Sequence, residues 1–523
     1  MASNHNLGLF KQCEEQMCAI KKLTKENAQL RQENRALRCE INGLYKSIDA
    51  KIAAAIEKAT LPLYAEISRK NEEISKLTTE VSRLKSIINK DSSNSSKPPS
   101  SNGFKAIPNS REKSGKPKGG QKGHPGRRLQ LPENMEELEK QGVIERRLVD
   151  HTNSGDEYVS KFTIDVEMKV VITEHRFRKG EIPEELYNEV SYGNGIKANA
   201  LLLMNEGIVA HKRLSDIISG MTHGTVNLST GTMNKFQSDF CECLSKSGEI
   251  DAIKQDLLNG EVMNTDDTSM RVLEKIVYPE NSDEPIGYER GDKKSLRATI
   301  RTHSNENTTL YTVNPKKDIE GIKRDGILPL FMGTLCHDHE SKFYNYGKNN
   351  GSCGAHLTRD LKGLSDSYNC SWALIMRKLI LDMNARKNHD LKTGKASCAP
   401  EKLELFEAEY DRLINQGREE IGQMKEKSWG HNEFNAMLNR LTNFKDSYML
   451  FMRDYKVPFS NNLAERDLRS EKTKEKVSGL FRSWNGIENH TKIRSFISTA
   501  KKRGKDLFSA IKQVMENEPV FTN

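Results

Sequence analysis

Leu23, Leu30, Leu37 and Leu44 recur every seven residues, and Ile20, Asn27, Asn34 and Ile41 each stand three residues before one of them. An apolar seam kept in register over four heptads commits the segment to a paired helix, because a globular helix shows a broader apolar face at a period of 3.6. Leu at d with two Asn at a sacrifices stability to fix register and favours two parallel strands. A second seam runs through Ile67, Ile74, Val81 and Ile88 at a, with Leu77 and Leu84 at d, after a break expected near Leu61-Pro62. Residues 1–90 are read as a coiled-coil (leucine zipper) dimerisation segment, which predicts a homodimer or higher oligomer.

The other residues must supply separate cores, since 523 residues exceed what one core holds. The formal net charge of +9 is unevenly spread. Residues Asp91–Gln130 hold nine Lys/Arg against two acids, and Arg466–Lys505 hold twelve against four, so everything else is net acidic. Two cationic zones on an acidic protein point to directed contact with a polyanion. Nine cysteines occur without a CxxC pair, which argues against a structural zinc or a disulfide framework and for reduced intracellular thiols. No apolar run reaches the ~20 residues of a membrane span, so no membrane partner and a cytoplasmic location are expected.

Residues 91–135 are rich in Ser, Pro, Gly and Lys and bury too little apolar surface to fold alone, giving a basic disordered linker that binds DNA. Residues 136–255 are read as a small β-containing module followed by a helical region. Phe162, Ile164 and Val166 alternate as in a strand. From Lys197 to Phe240 the pattern is helical, and Met221-Thr222-His223-Gly224 before Ser229-Thr230-Gly231 resembles the turn of a helix-turn-helix. A purely structural helical hairpin fits that stretch as well.

The chemistry concentrates in three acidic blocks. Pro458-Phe459-Ser460-Asn461-Asn462-Leu463-Ala464-Glu465 starts a helix that Ser460 or Asn461 is expected to cap. On that helix Glu465, Arg469, Lys472 and Lys476 share a face, placing one carboxylate among cations. Glu261-Val262-Met263-Asn264-Thr265-Asp266-Asp267 and Gly333-Thr334-Leu335-Cys336-His337-Asp338 each read as a strand ending in acids. Carboxylates brought together from such elements make an oxygen-rich site for two Mg²⁺ ions, because hard divalent cations prefer oxygen.

These blocks carry a resemblance. The chain resembles DDE transposases of the insertion sequence 66 family, through Asn94-Ser95-Ser96-Lys97-Pro98-Pro99-Ser100-Ser101, Gly119-Gly120-Gln121-Lys122-Gly123-His124-Pro125-Gly126, Asp266-Asp267-Thr268, Cys353-Gly354-Ala355-His356, Asn461 to Arg466, and the tail from Gly479 to Lys501. It departs in lacking a cysteine-rich module after the linker, and in having Ser269, Gly354 and His339 where Pro, Trp and Gly are usual. The resemblance implies an α/β fold with an RNase H-like catalytic core, its first part in 256–350, a helical insertion over 351–440, and its last part in 441–523. It further implies a polynucleotidyl transferase with a two-metal-ion mechanism, in which Asp266, Asp338 and Glu465 are catalytic and hold two Mg²⁺ ions per site, with Mn²⁺ as a substitute.

His356 is an accessory candidate for contact with a phosphate or the reacting strand. Arg466, Arg469, Lys472, Lys474, Lys476 and Arg482 are candidates for DNA backbone contacts near the acids, and Lys116, Lys118, Lys122, Arg127 and Arg128 for contacts along the terminal inverted repeats. The implied function is Mg²⁺-dependent cleavage and strand transfer, with double-stranded repeat and target DNA as partners, in the bacterial nucleoid, with or without helper proteins of the same element. Two alternatives stay open: a zipper-dimer DNA-binding regulator with an inert core, and an RNase H-like nuclease that cuts without joining.

Overall fold

The structure, a computed structural model, describes residues 3–89, 129–151, 157–178, 180–183, 188–279, 285–290, 296–368, 370–423 and 429–521. Its first element is one helix, α1 (Ser3–Asn89), of 87 residues. The helix runs unbroken through Pro62, where a break was expected. Proline removes one backbone hydrogen bond there, and strong helix formers such as Ala53, Ala54, Ala55 and Ala65 carry the helix across. The seam residues, among them Leu23, Leu30, Leu37, Ile74 and Leu77, are all exposed in the single chain.

From 129 to 193 the described residues contain a short helix, α2 (Met135–Lys140), and no strand. Phe162, Ile164 and Val166 alternate but stay exposed. Alternation offers an apolar face, yet a strand also needs a neighbour for its backbone groups, and none of the described residues pairs with these. The helical region that follows divides into α3 (Asn194–Asn205), α4 (His211–Met221) and α5 (Thr230–Lys246), with α6 (Glu249–Leu258) leading into the sheet. Ser229 caps α5 by accepting from the Thr232 N–H. α5 buries Met233, Phe236, Phe240 and Leu244 in a cluster with Phe496, Ile497 and Ile511.

The strands are β1 (Val262–Val272), β2 (Glu274–Val277), β3 (Gly287–Arg290), β4 (Leu296–Ser304) and β5 (Thr309–Asn314), then, after helix α7 (Ile319–Asp325), β6 (Thr334–His337) and β7 (Asn349–Ser352). β2 and β3 form a separate two-stranded ribbon. The main sheet has the order β5-β4-β1-β6-β7. Its β5, β4 and β1 are mutually antiparallel, while β1, β6 and β7 run parallel. β1 does not end at its acids, because β4 pairs with it as far as Val272↔Leu296, whereas its parallel partner β6 pairs only up to Asn264↔Cys336.

Five helices follow: α8 (Gly354–Tyr368), α9 (Ser371–Lys392), α10 (Pro400–Gly422), α11 (Trp429–Asn443) and α12 (Lys445–Arg453). Trp372, Tyr410, Phe434, Leu438, Tyr448 and Met452 build their common core. The expected limit at 440 falls inside α11, and α12 joins the same core, so the helical block extends to Arg453. The chain returns to the sheet with α13 (Asn462–Ser478), α14 (Trp484–Lys502) and α15 (Leu507–Met515). Leu468 of α13 and Trp484 of α14 pack with Met270, Ala298 and Tyr311 of the strands. Ser495 and Thr499 of α14 accept the backbone N–H groups of Tyr311 and Thr309, so the outer edge of β5 is covered by helix side chains. The class is mixed α/β with a mixed sheet, as expected.

Gly354 opens α8 against the ring of Phe459, whose Cε2 would clash with a Cβ at that position. The aromatic ring thus occupies the space of the side chain usual there. Gly354→Ala is expected to destabilise the protein by about 1–3 kcal/mol through overpacking, read as a lowered melting temperature. Adding Phe459→Leu should return most of the loss, and a single variant as stable as the parent would show that the ring steps aside freely.

Candidate active site

Parallel register brings the two aspartates together. Asn264 pairs with Cys336 at the end of the β1–β6 ladder, and two residues further along each strand stand Asp266 and Asp338. Strands lie about 4.8 Å apart, so the two residues leave neighbouring strands side by side, near enough for the Asp338 charge to act on Asp266. Burial, and then the Asp338 charge, push the Asp266 carboxyl up to about 7, while the donated Asp267 N–H and the charge of Lys472 oppose the shift.

Asp267 shows the opposite situation one residue on. Successive side chains of a strand point to opposite faces, and the Asp267 side chain, 1% exposed, lies among Lys317 at 2.9 Å, Lys342 at 2.6 Å and Arg301 at 3.5 Å. Arg301 also pairs with Asp325 of α7. Asp267 is thus neutralised threefold, and Asp266 is the acid left facing another acid.

Glu465 arrives on the first turn of α13, and Asn461 sets where that turn begins. The Asn461 side chain does not cap the helix as expected. Its Nδ2 donates to the Thr265 carbonyl at 2.8 Å, and its Oδ1 accepts from Asn264 Nδ2 at 3.0 Å, tying the helix start to β1 beside Asp266. Its backbone N–H donates to Cys353 Sγ at 3.2 Å, and Gly354 N–H donates to the Phe459 carbonyl, joining α8 to the same point. α8 therefore carries His356 to the acids, with Nδ1 3.1 Å from Asp338 Oδ1 and 3.6 Å from Glu465 Oε1. Burial disfavours charge on this imidazole, but Asp338 and Cys353 outweigh it and raise His356 to about 10.

Asp338 Oδ1, Glu465 Oε1 and His356 Nδ1 are buried atoms without a hydrogen-bond partner. Ligand atoms of Asp338, Cys353, His356 and Glu465 all lie within 4.8 Å of one another, a grouping that suits a metal ion. His339, which departs from the resemblance, is packed edge-on against Phe444 and bonded to the Tyr344 hydroxyl. Burial and Arg440 hold it down at about 4, so it is a neutral packing residue.

The cationic candidates separate into groups. Arg469, Lys472 and Lys476 are exposed on α13, on the helical face that also carries Glu465. Arg466 is exposed but borders a different cleft of about 480 Å³, shared with Asp467, Arg494, Lys501 and Lys502. Lys474 is partly buried, and burial lowers it, with the Arg494 charge adding and Glu471 opposing. Lys474 and exposed Arg482 both lie near His211 of α4, away from the shared face. Lys116, Lys118, Lys122, Arg127 and Arg128 lie outside the described residues.

Beneath the exposed face, Glu471 is fully buried, bonded to His490 at 2.8 Å and 3.7 Å from Arg494. Asp467 accepts from Ser304, Thr309 and Lys502. Sequence reasoning missed these anchors, and the Asn461 bridge, because each partner is distant in sequence.

Asp266 and Asp267 should separate in stability. The folded Asp266 carboxyl titrates near 7 against an ordinary 3.8, so its charged form costs the folded state stability as pH rises from about 4 to 7, and the cost remains above that. In chelator-treated protein, Asp266→Asn is expected to raise the melting temperature by a few degrees at pH 8 and by little at pH 5. Asp267→Asn breaks a buried ion pair, leaving Arg301 with Asp325 alone and Lys317 and Lys342 with Glu340 alone, and is expected to lose about 3 kcal/mol at pH 8. Equal effects of the two substitutions would contradict the assignment.

The family model described as Transposase IS66 family matches residues 189–489, more than half of the chain and inclusive of all three acids. A second model, a family of unknown function (DUF6444), matches residues 21–130. No curated protein matches the chain. Among solved structures there is a distant likeness to a chain of the Drosophila P element transposase strand transfer complex, 10% identical with a TM-score of 0.27, covering 61% of this chain and 94% of that one.

Proposed function

Because the chain belongs to the IS66 family of transposases, we propose that it binds the terminal inverted repeats of its insertion sequence and catalyses metal-dependent DNA strand cleavage and strand transfer. The observation that carries this reading is the grouping of Asp338 with Glu465, beside an Asp266 that feels the Asp338 charge, while the neighbouring acid Asp267 is paired with cations and Asp266 is not. A sheet of three antiparallel strands continued by two parallel ones, with acids on β1, after β6 and on a returning helix, supports an RNase H-like core.

The donor set fits hard divalent ions: three carboxylates, two of them with a buried oxygen that no hydrogen bond satisfies. Two bound Mg²⁺ ions, or Mn²⁺ in their place, would supply Lewis acidity to the attacking and leaving oxygens of an in-line phosphoryl transfer. Asn461 keeps Glu465 beside the strand acids, so the geometry does not depend on a long flexible side chain finding its place. Arg469, Lys472 and Lys476 hold DNA phosphates alongside, and the basic linker follows the repeat. The exposed seam of α1 pairs with the same seam of a second copy.

A pre-cut duplex carrying the element's own end, mixed with target DNA and Mg²⁺, tests the reading. Joined product supports a transposase, cutting without joining would reassign the chain as a nuclease, and binding alone would make it a regulator. Asp266→Ala, Asp338→Ala and Glu465→Gln are each expected to lower strand transfer about a thousandfold, equivalent to ~4 kcal/mol, with repeat binding largely kept. Changing Arg469, Lys472 and Lys476 together to Gln is expected to flatten the slope of log affinity against log salt by about 2–3 units. An unchanged slope in a salt titration would remove these residues from the DNA path.

A further inference from the structure

Two oxygens and one nitrogen in the site lack any hydrogen-bond partner although all three are buried: Asp338 Oδ1, Glu465 Oε1 and His356 Nδ1. A buried polar atom without a partner is costly, and here three such atoms point at one another. The nitrogen lies 3.1 Å from one oxygen and 3.6 Å from the other. Around a six-coordinate ion with bonds of about 2.1 Å, adjacent donor atoms sit about 3.0 Å apart. The three atoms are therefore spaced as neighbouring ligands of one ion and need to close in only slightly.

Other buried histidines behave differently. His337 and His490 have both ring nitrogens engaged by protein groups. His303 is unpartnered too, but the charge that faces it is the cation of Arg301. Only at His356, among the described residues, does an unpartnered ring nitrogen meet two unpartnered carboxylate oxygens. Cys353 belongs to the same cluster, yet its sulfur already accepts the Asn461 N–H, which fits a positioning role.

We infer that His356 Nδ1, releasing its proton to solvent as the ion binds, is a third protein ligand of the ion held by Asp338 and Glu465, making that half of the site a carboxylate–imidazole–carboxylate centre. The inference rests on the metal-binding reading above and goes beyond its three carboxylates. An imidazole donor favours later transition ions over Mg²⁺ more than water or carboxylate does. The consequence is a preference for Mn²⁺ at this position, while the ion beside Asp266 keeps oxygen donors.

The test uses the full chain, stripped of metal and titrated with Mn²⁺. Pulsed electron paramagnetic resonance is expected to show nitrogen coupling from a directly bound imidazole, and histidine labelled with ¹⁵N should convert that signal without any substitution. His356→Gln should abolish the coupling and weaken one class of Mn²⁺ sites by about 10–100-fold, a loss that even outer-shell partners can produce. Bound Mn²⁺ without nitrogen coupling, or coupling that survives His356→Gln, overturns the inference and leaves the carboxylate reading intact. Absence of Mn²⁺ binding by the parent chain, or binding indifferent to Asp338→Ala and Glu465→Gln, overturns both.

Discussion

The short parallel pairing of β1 with β6 is the constraint on which the site depends. Its last pair, Asn264↔Cys336, dictates that Asp266 and Asp338 emerge together, and two carboxylates one strand spacing apart repel. The surroundings answer that repulsion selectively. Arg301, Lys317 and Lys342 neutralise Asp267 on the opposite face, and Lys472 adds only a distant attraction at Asp266. The fold leaves one small volume with excess negative charge and protects everything around it.

Holding such a volume open requires rigid neighbours, and polar networks supply them. Asn461 spends its side chain on β1 instead of on its own helix terminus, so α13 begins at a place set by the sheet. Further along, buried Glu471 bonds His490, which meets Asn205 of α3, and Arg494 reaches the Asn205 carbonyl and Glu206. Buried polar networks of this kind specify one packing, because breaking any member leaves the others unpaired. The helices before the sheet and those after it are thereby locked to the helix that carries Glu465.

What could be read from the residues follows from the range of the interactions concerned. The long helix α1 was legible because seven-residue periodicity is local, and its continuity through Pro62 was not, because one proline's cost is outweighed by many neighbouring residues. Asp266, Asp338 and Glu465 stood out through local motifs; the structure groups Asp338 and Glu465 with His356, and Asp266 lies near enough to feel the Asp338 charge. The cations were harder: helical spacing grouped Arg469, Lys472 and Lys476 correctly on the exposed side, but it could not reveal that Lys474 turns inward or that Arg466 faces another cleft. The alternation of Phe162, Ile164 and Val166 misled because a strand is defined by its neighbour, which no single segment discloses.

The order of the elements along the chain also has a temporal meaning. Glu465 is held by contacts that α13 and α14 make with β1, β4 and β5, so the site cannot form until the ribosome has delivered α13 and α14, long after α1. The long first helix is finished about 375 residues before Glu465, which at about 5–20 residues per second is roughly 20–75 s. During that interval the nascent chain has a complete helical seam and no complete acid cluster. Two chains growing on one messenger could therefore meet through their first helices while still unable to cut DNA, and reactivity would arrive only after partnership.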